Sequence, residues 1–328
     1  MSDYKEVHGT GILNYAGDVP NVLVGQLWYN STAKDFRLSK IAEVGSWSTG
    51  GNLNTARGLP AGAGTQTAGL AFGGWNGGTF YAVTEAYNGS SWTEVNDLNQ
   101  ARRGPGGVGT STAALAFGGH TPPSVVSTEI WNGTNWTELN NMGTARYGVG
   151  NAGTSTAALA YGGAGGYKAE TEIWNGTNWT EVNDLNVGGK FAGSGGTTTS
   201  ALMYGGQKED VSNPGDAALT ESWNGTNWTE VADLNTARIR LSGVATDNTA
   251  ALGFGGERNP GGVSNDAETW NGTSWTSGGD LNTGRYLGSG AGTSTAGLAF
   301  GATDPASARN LTEEWDVAPA QITQTITS

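Results

Sequence analysis

The 328-residue chain contains no cysteine. Disulfides and thiolate chemistry are therefore excluded, and the absence fits a chain that folds in a reducing compartment. Its two histidines, His8 and His120, are too few for a multi-histidine metal site. Basic residues are scarce as well: 16 Lys and Arg face 29 Asp and Glu, for a formal net charge of −13. That balance argues against a nucleic-acid-binding surface, whose phosphate contacts need Lys and Arg, and is unfavourable at anionic membranes. No run approaches the roughly 18 apolar residues of a membrane span. The opening Met1-Ser-Asp-Tyr-Lys-Glu-Val7 lacks the charged-then-apolar pattern of a secretory signal. Helical periodicity is missing over any useful length.

What the chain has is glycine, 56 residues of it, and a repeat. The fullest copies are Thr128-Glu-Ile-Trp-Asn-Gly-Thr-Asn-Trp136 and Thr171-Glu-Ile-Trp-Asn-Gly-Thr-Asn-Trp179, with edited copies ending at Trp92, Trp228 and Trp275. Ser46-Trp47 opens the series and Thr312-Glu-Glu-Trp315 closes it. The second tryptophan falls at 47, 92, 136, 179, 228 and 275. A period of roughly 40–50 residues marks propeller blades.

Each unit has four strand-like pieces, for example Arg146-Tyr-Gly-Val-Gly-Asn-Ala152, Thr156-Ala-Ala-Leu-Ala-Tyr-Gly-Gly163, Thr171-Glu-Ile-Trp174 and Trp179-Thr-Glu-Val182. Asn132-Gly133 and its copies join the third and fourth, and Asn-Gly favours a type I′ hairpin because both central positions tolerate positive φ. In the second strand Leu115 and Phe117 share one face and Ala114 and Ala116 the other, since strands alternate with period two. Bulky on one face and small on the other suits a blade pressed by neighbours on both sides. The glycine-rich first strand belongs nearest the axis, where side chains do not fit. The chain starts the series with a fourth strand only and ends it with a first, second and third. These ends together complete one blade. The expected fold is all-β: a six-bladed β-propeller of four-stranded blades over 44–316, with one blade closed by both ends of the series. Residues 1–43 precede it as an arm with a β-hairpin, and 317–328 follow as a short polar tail.

Gly73-Gly74, Gly118-Gly119, Gly162-Gly163, Gly205-Gly206 and Gly255-Gly256, each after an apolar second strand and upstream of an aromatic, resemble the kelch motif of galactose-oxidase-like propellers; the sixth unit departs with Gly301-Ala302. The likeness covers about 44–316 and implies the fold, while such propellers host enzymes, adaptors and lectins alike. The arm carries a second likeness. Asn14-Tyr-Ala-Gly-Asp18, followed by Gly25-Gln-Leu-Trp-Tyr-Asn30, is similar to the start of tail-fibre and other virion structural proteins of marine bacteriophages. It implies a protein of the phage particle, folded in the host cytoplasm, with other virion proteins as partners. A homo-oligomer on the particle belongs to the same expectation.

Several residue sets are candidates for function. Arg57, Arg102, Arg146, Arg238 and Arg285 begin the first strands, with Lys190 in the fourth unit; Glu85, Glu129, Glu172, Glu221, Glu268 and Glu313 lie in the third strands. Matched counts suggest matched partners, a buried pair in every blade; the functional alternative is a cationic ring holding an anion on the axis. The loops between the second and third strands differ most between copies. They offer Trp75, Tyr81, His120, Tyr167, Lys168, Lys208, Glu257 and Arg258 as candidate recognition residues on one face, because loops on a rigid scaffold carry binding. The other reading is drift in tolerant loops. Trp28 and Tyr29 are the candidate anchors of the arm, since aromatics bury much area at few rotamers' cost. The Asn-Gly-Ser/Thr copies match a glycosylation pattern and are read as turns.

Catalytic signals are poor. A copper site with a Tyr–Cys crosslink needs the cysteine that is absent, and an arginine triad with a Tyr nucleophile has the residue types but no marker. Calcium at Asp210, Asp216 or Asp304 would lack EF-hand spacing. No catalytic residue, cofactor or metal is assigned. The first expectation is a non-enzymatic virion protein, a fibre, spike or decoration, whose arm docks to the particle and whose propeller faces outward toward a host-surface glycan or receptor. A carbohydrate-binding propeller unrelated to a virus is the second, and a glycan-processing enzyme the third.

Overall fold

The computed structural model describes residues 13–18, 23–208, 218–258, 262–303 and 308–326. The chain divides into two compact units. One is Met1–Val44 with Val317–Ser328, and the other is Gly45–Asp316. Among the described residues there are strands and no helices.

In the larger unit the sheets are antiparallel and follow chain order. Sheet I comprises Ala61–Thr65, Ala68–Phe72, Thr84–Tyr87 and Trp92–Val95; sheet II comprises Gly106–Thr110, Ala113–Phe117, Thr128–Trp131 and Trp136–Leu139. Sheets III, IV and V repeat the pattern from Gly150–Gly153, Gly193–Thr197 and Ser242–Asp247. Sheet VI draws on both ends of the chain. Ser289–Gly292, Ala296–Thr303 and Ala308–Ile326 are joined by the strand Asp35–Thr49. There Gly50 donates its N–H to the Thr312 carbonyl at 3.0 Å, and the rings of Trp47 and Trp315 lie 5.4 Å apart. The first strand of each sheet touches that of the next, I to VI and VI back to I. Repeated four-stranded sheets in this cyclic order are consistent with a β-propeller.

The core follows from the alternation in the second strand. Leu70 and Phe72 of sheet I pack on Ala114 and Ala116 of sheet II, and Leu115 and Phe117 of sheet II on Ala158 and Ala160 of sheet III. In sheet V the small side is reduced to glycine: a Cβ on Gly253 would meet the Tyr204 ring at 2.9 Å. The fourth-strand tryptophans seal the same interfaces. Trp136 packs at a tilt on Phe72 at 4.9 Å, and its indole N–H donates to Thr84 Oγ1 of the preceding sheet at 3.1 Å. Trp92, Trp179, Trp228 and Trp275 make the same bond to Thr312, Thr128, Thr171 and Thr220. Trp47 does not, because the preceding sheet offers Ala267 at that place; its buried indole nitrogen lacks a partner.

The Asn-Gly loops differ from the expected type I′ turn. Trp131 pairs with Trp136 and Trp174 with Trp179, so each loop has four residues. Gly133 is left-handed (φ +91°) but Asn132 is not. Asn132 Oδ1 instead accepts the N–H groups of Thr134 at 2.9 Å and Asn135 at 2.8 Å. The asparagine acts through its side chain, closing an Asx turn that satisfies amides a longer loop leaves open.

In the smaller unit Leu27–Asn30 and the start of Asp35–Thr49 form an antiparallel hairpin, with Leu13–Tyr15 parallel to its first strand. The motif residues hold it together. Asp18 accepts from Asn30 Nδ2 at 3.3 Å and pairs with Arg37 at 3.3 Å, while Asn30 Oδ1 caps the turn by accepting from Thr32 and Ala33. Of residues 317–328, expected as a short polar tail, 317–326 are the end of the strand Ala308–Ile326, and Gln321 Nε2 donates to Ser39 Oγ at 2.7 Å.

Candidate functional site

The repeated charges meet inside single sheet units. Arg57 pairs with Glu85 at 2.5 Å, Arg102 with Glu129 at 2.8 Å, Arg146 with Glu172 at 3.0 Å, Arg238 with Glu268 at 3.0 Å, and Arg285 with Glu313. Arg57, Arg102, Arg146 and Arg238 are fully buried, and burial pushes each guanidinium pKa down while its glutamate opposes that shift. The second carboxylate oxygen is engaged too. Asn54 donates both N–H and Nδ2 to Glu85, and Asn99, Asn186 and Asn235 do the same to Glu129, Glu221 and Glu268. These asparagines were not singled out in the sequence, although Leu53-Asn-Thr-Ala-Arg57, Leu98-Asn-Gln-Ala-Arg102 and Leu234-Asn-Thr-Ala-Arg238 display them. A carboxylate so satisfied is a structural anchor.

The fourth unit corrects the assignment of Lys190. Its pentapeptide, Leu185-Asn-Val-Gly-Gly189, puts Gly189 where the others have arginine. The cation comes from the opposite strand: Lys208, expected on a recognition loop, pairs across from Gly189, is fully buried, and feels the attraction of Glu221. A Cβ on Gly189 would lie 2.7 Å from Lys208 Cδ, so the lysine stem occupies the vacated arginine space. Burial lowers the Lys208 pKa to about 8, and its Nζ has no hydrogen-bond partner among the described residues. Lys190 is one residue farther on, with its ammonium 4.2 Å from the centre of the Tyr167 ring.

The first strands enclose a cavity of about 190 Å³ lined mostly by glycine, alanine, valine and serine, with Asn151 and, among larger apolar residues, Leu59, Phe191, Leu241 and Leu287; none of the paired arginines is on its wall. An anion held on the axis by those arginines therefore has no support in the geometry. At one end the wall is fixed by backbone. Leu59, Phe191, Arg240 and Leu287 have φ between +52° and +55°, with Gly104 and Gly148 at +58° in the equivalent places. Leu59 N–H donates to Leu287 O at 2.7 Å, Gly104 to Leu59 at 2.8 Å, Gly148 to Gly104 at 2.8 Å, Phe191 to Gly148 at 3.0 Å and Leu287 to Arg240 at 3.0 Å.

No protein-family model matches the chain, and no curated protein matches it.

Around that mouth the variable loops bring several candidate residues together. Trp75 and His120 bridge back to Gly58 and Arg103. The Arg103 guanidinium lies 4.9 Å from the Trp75 ring, 5.8 Å from Phe80 and 5.4 Å from Tyr147. His120 packs at a tilt on Tyr147 at 4.8 Å, and burial, with Arg103 adding to it, lowers its pKa, which favours the uncharged ring. Other candidates are spent on local contacts. Tyr81 is bonded to Asn76 at 2.6 Å, Lys168 to Glu170 at 3.0 Å, Glu257 to Arg240 at 2.8 Å, and Arg258 to Asp266. Asp210, Asp216, Asp304 and His8 lie outside the described residues; among the described residues no group of three or more His, Asp or Glu is placed to hold a metal.

In the smaller unit Trp28 is fully buried and serves as its core, which rules it out as a surface anchor. Tyr29 packs on Phe36 at 5.2 Å, on the opposite face of the hairpin.

Proposed function

We propose that the chain is a non-enzymatic structural protein of a bacteriophage particle, a fibre, spike or decoration. In this reading Gly45–Asp316 is a six-bladed, kelch-like β-propeller whose last blade is built from both ends of the series. The other unit is the arm that docks it to virion proteins, alone or as one copy of a homo-oligomer, and the propeller faces outward to meet the host surface. The carrying observation is the apolar face of the arm hairpin. Leu27 and Phe36 are 37% and 42% exposed and flank Tyr29, a patch of the kind that marks an interaction site. The likeness of Asn14–Asp18 and Gly25–Asn30 to phage virion proteins supports the identity of the partner. The commitment of every repeated arginine named above to a glutamate supports a scaffold rather than a catalyst.

The test is incorporation into particles assembled without the native protein. The full chain carrying Leu27→Lys and Phe36→Lys should stay folded yet fail to join. If it joins as well as the parent, attachment lies elsewhere, most simply on the Asn-Gly hairpins, and the arm reading falls. A lectin-like propeller with no virus is favoured by one observation, the aromatic group around Arg103.

A further inference from the structure

The residue that follows each buried arginine, or Gly189 in the fourth unit, is Gly58, Arg103, Tyr147, Lys190, Ile239 or Tyr286. Each pairs with the residue after the second strand's closing pair, namely Trp75, His120, Ala164, Gln207, Glu257 or Thr303. The next residue of each set belongs to the backbone ring at the cavity mouth. These six positions therefore surround the mouth, on the face that carries the loops of variable length.

Arg103 is unlike the other arginines around it. Its guanidinium makes no ion pair and no hydrogen bond among the described residues, and its Nε is buried without a partner. Arg240, at the same mouth, has Glu257 at 2.8 Å. In a chain with 29 acidic residues, a half-buried guanidinium without a carboxylate leaves its ends free for an outside anion. The rings beside it hold the planar group by cation–π contact, and oriented N–H donors remain for a carboxylate, with which Arg forms two-pronged bonds. The rings continue beyond Arg103. Phe80 is 6.1 Å from His120, His120 4.8 Å from Tyr147, and Tyr147 5.6 Å from Phe191. Next in sequence to Phe191 is Lys190, which also lacks a carboxylate partner among the described residues.

We propose that this stripe, from Trp75 to Phe191 with Arg103 at its centre, binds a linear acidic polysaccharide. Sugar rings lie along the aromatic side chains, and a carboxylate or sulfate group meets Arg103, with Lys190 as a second contact. The stripe crosses several sheets, which suits a polymer better than a single small anion. A polymer with a charge on every unit, such as single-stranded nucleic acid, would meet the repulsion of a chain of net charge −13; a sparsely charged polysaccharide meets less. This inference deepens the outward-facing role of the propeller and rests on it.

The experiment is calorimetric titration of the full chain with hyaluronan oligomers, in which only alternate sugars are uronates, lightly sulfated dextran oligomers, neutral dextran and a single-stranded oligonucleotide. The uronate or sulfate oligomer should bind, more weakly as salt is raised, and neutral dextran should not. Arg103→Ala should weaken binding roughly tenfold or more, the loss of one charge-assisted contact. Arg103→Lys, which keeps charge but not the planar fork, should recover only part. Unchanged circular dichroism and melting temperature would show that both variants are folded; if Arg103→Ala unfolds, Lys190→Ala and Trp75→Ala carry the same expectation. Equal binding by the folded variants and the parent overturns the inference. So does equal binding of neutral dextran, tighter binding of the oligonucleotide, or no binding of either acidic polymer at millimolar concentration. Particle incorporation separates the two ideas. Arg103→Ala should join particles normally, so a failed titration with normal incorporation sinks only the glycan site, whereas a parent chain that never joins particles sinks the virion reading and leaves the titration standing.

Discussion

Replacing Gly189 by Arg tests the way the fourth unit assembles its buried charge. Gly189 has an ordinary backbone conformation, so the change brings no backbone strain. The new side chain would meet Lys208, whose Cδ lies 2.7 Å from the added Cβ, and would put two cations beside one Glu221. Overpacking alone costs about 1–3 kcal/mol, and like-charge repulsion adds to it. Lys208→Asn by itself leaves the buried Glu221 without a cation, a loss of about 3–5 kcal/mol. Combining the two rebuilds the arrangement of the first unit, where Arg57 serves Glu85 and Asn76 stands in the lysine's place. The double variant should therefore be within about 1–2 kcal/mol of the parent, so that the single losses fail to add by at least about 2 kcal/mol, at or above the upper end of the 0.5–3 kcal/mol seen between contacting residues. Urea unfolding followed by tryptophan fluorescence measures all four proteins. If the two changes add to within about 0.5 kcal/mol, the limit for independent sites, Lys208 is not the substitute for the missing arginine.

Four further outcomes follow from the same contacts. Arg146→Ala strands Glu172 in the core and should cost about 3–5 kcal/mol; a loss under about half a kcal/mol, usual at surface sites, would mean the pair is not buried in solution. Ala267→Thr should stabilise by about 1 kcal/mol by giving Trp47 the hydroxyl its counterparts have, and a lower denaturation midpoint would refute it. Because the Lys208 pKa falls to about 8 on folding from an ordinary 10.5, the unfolded state holds more protons between those values. Stability contributed by Lys208 should then rise with pH by about 1.4 kcal/mol per unit across that window; the difference between parent and Lys208→Met, plotted from pH 7 to 10, should be flat below about 8 and climb above it. Trp28→Ala should melt the smaller unit, since Trp28 is its core, at about 3–5 kcal/mol, and a variant that loses partner binding but no stability would restore Trp28 as a surface anchor.

Much of this architecture was legible in the order of residues. The tryptophan period marks the units, and the Leu/Phe against Ala/Ala alternation of the second strand dictates that each sheet presses a bulky face on a small one, as Phe72 does on Ala116. The recurrence of Arg and Glu foretold the pairs of five units, because a buried charge without a partner is too costly to repeat in unit after unit. The split of the last sheet between both ends of the series was also written in the chain, since a lone fourth strand and a lone set of three need each other.

Other features needed the tertiary structure because they depend on which side chains share a space. Lys208 replaces an arginine from another strand, a substitution visible only where Gly189 and Lys208 face each other. The alignment of Leu185-Asn-Val-Gly-Gly189 with Leu53-Asn-Thr-Ala-Arg57 shows the vacancy but not what fills it. Trp28, conspicuous outside the repeat, turned out to be core, because its strand alternates and its neighbours Leu27 and Tyr29 take the other face. Asn-Gly pointed to a tight turn, yet the pairing of Trp131 with Trp136 set a four-residue loop in which the asparagine side chain closes the turn. The aromatic stripe around Arg103 joins residues from 75 to 191 that no local pattern connects. Period and alternation fix what each strand buries, since those are properties of one strand; the partners that meet at the mouth of the cavity are fixed only when the sheets close around it.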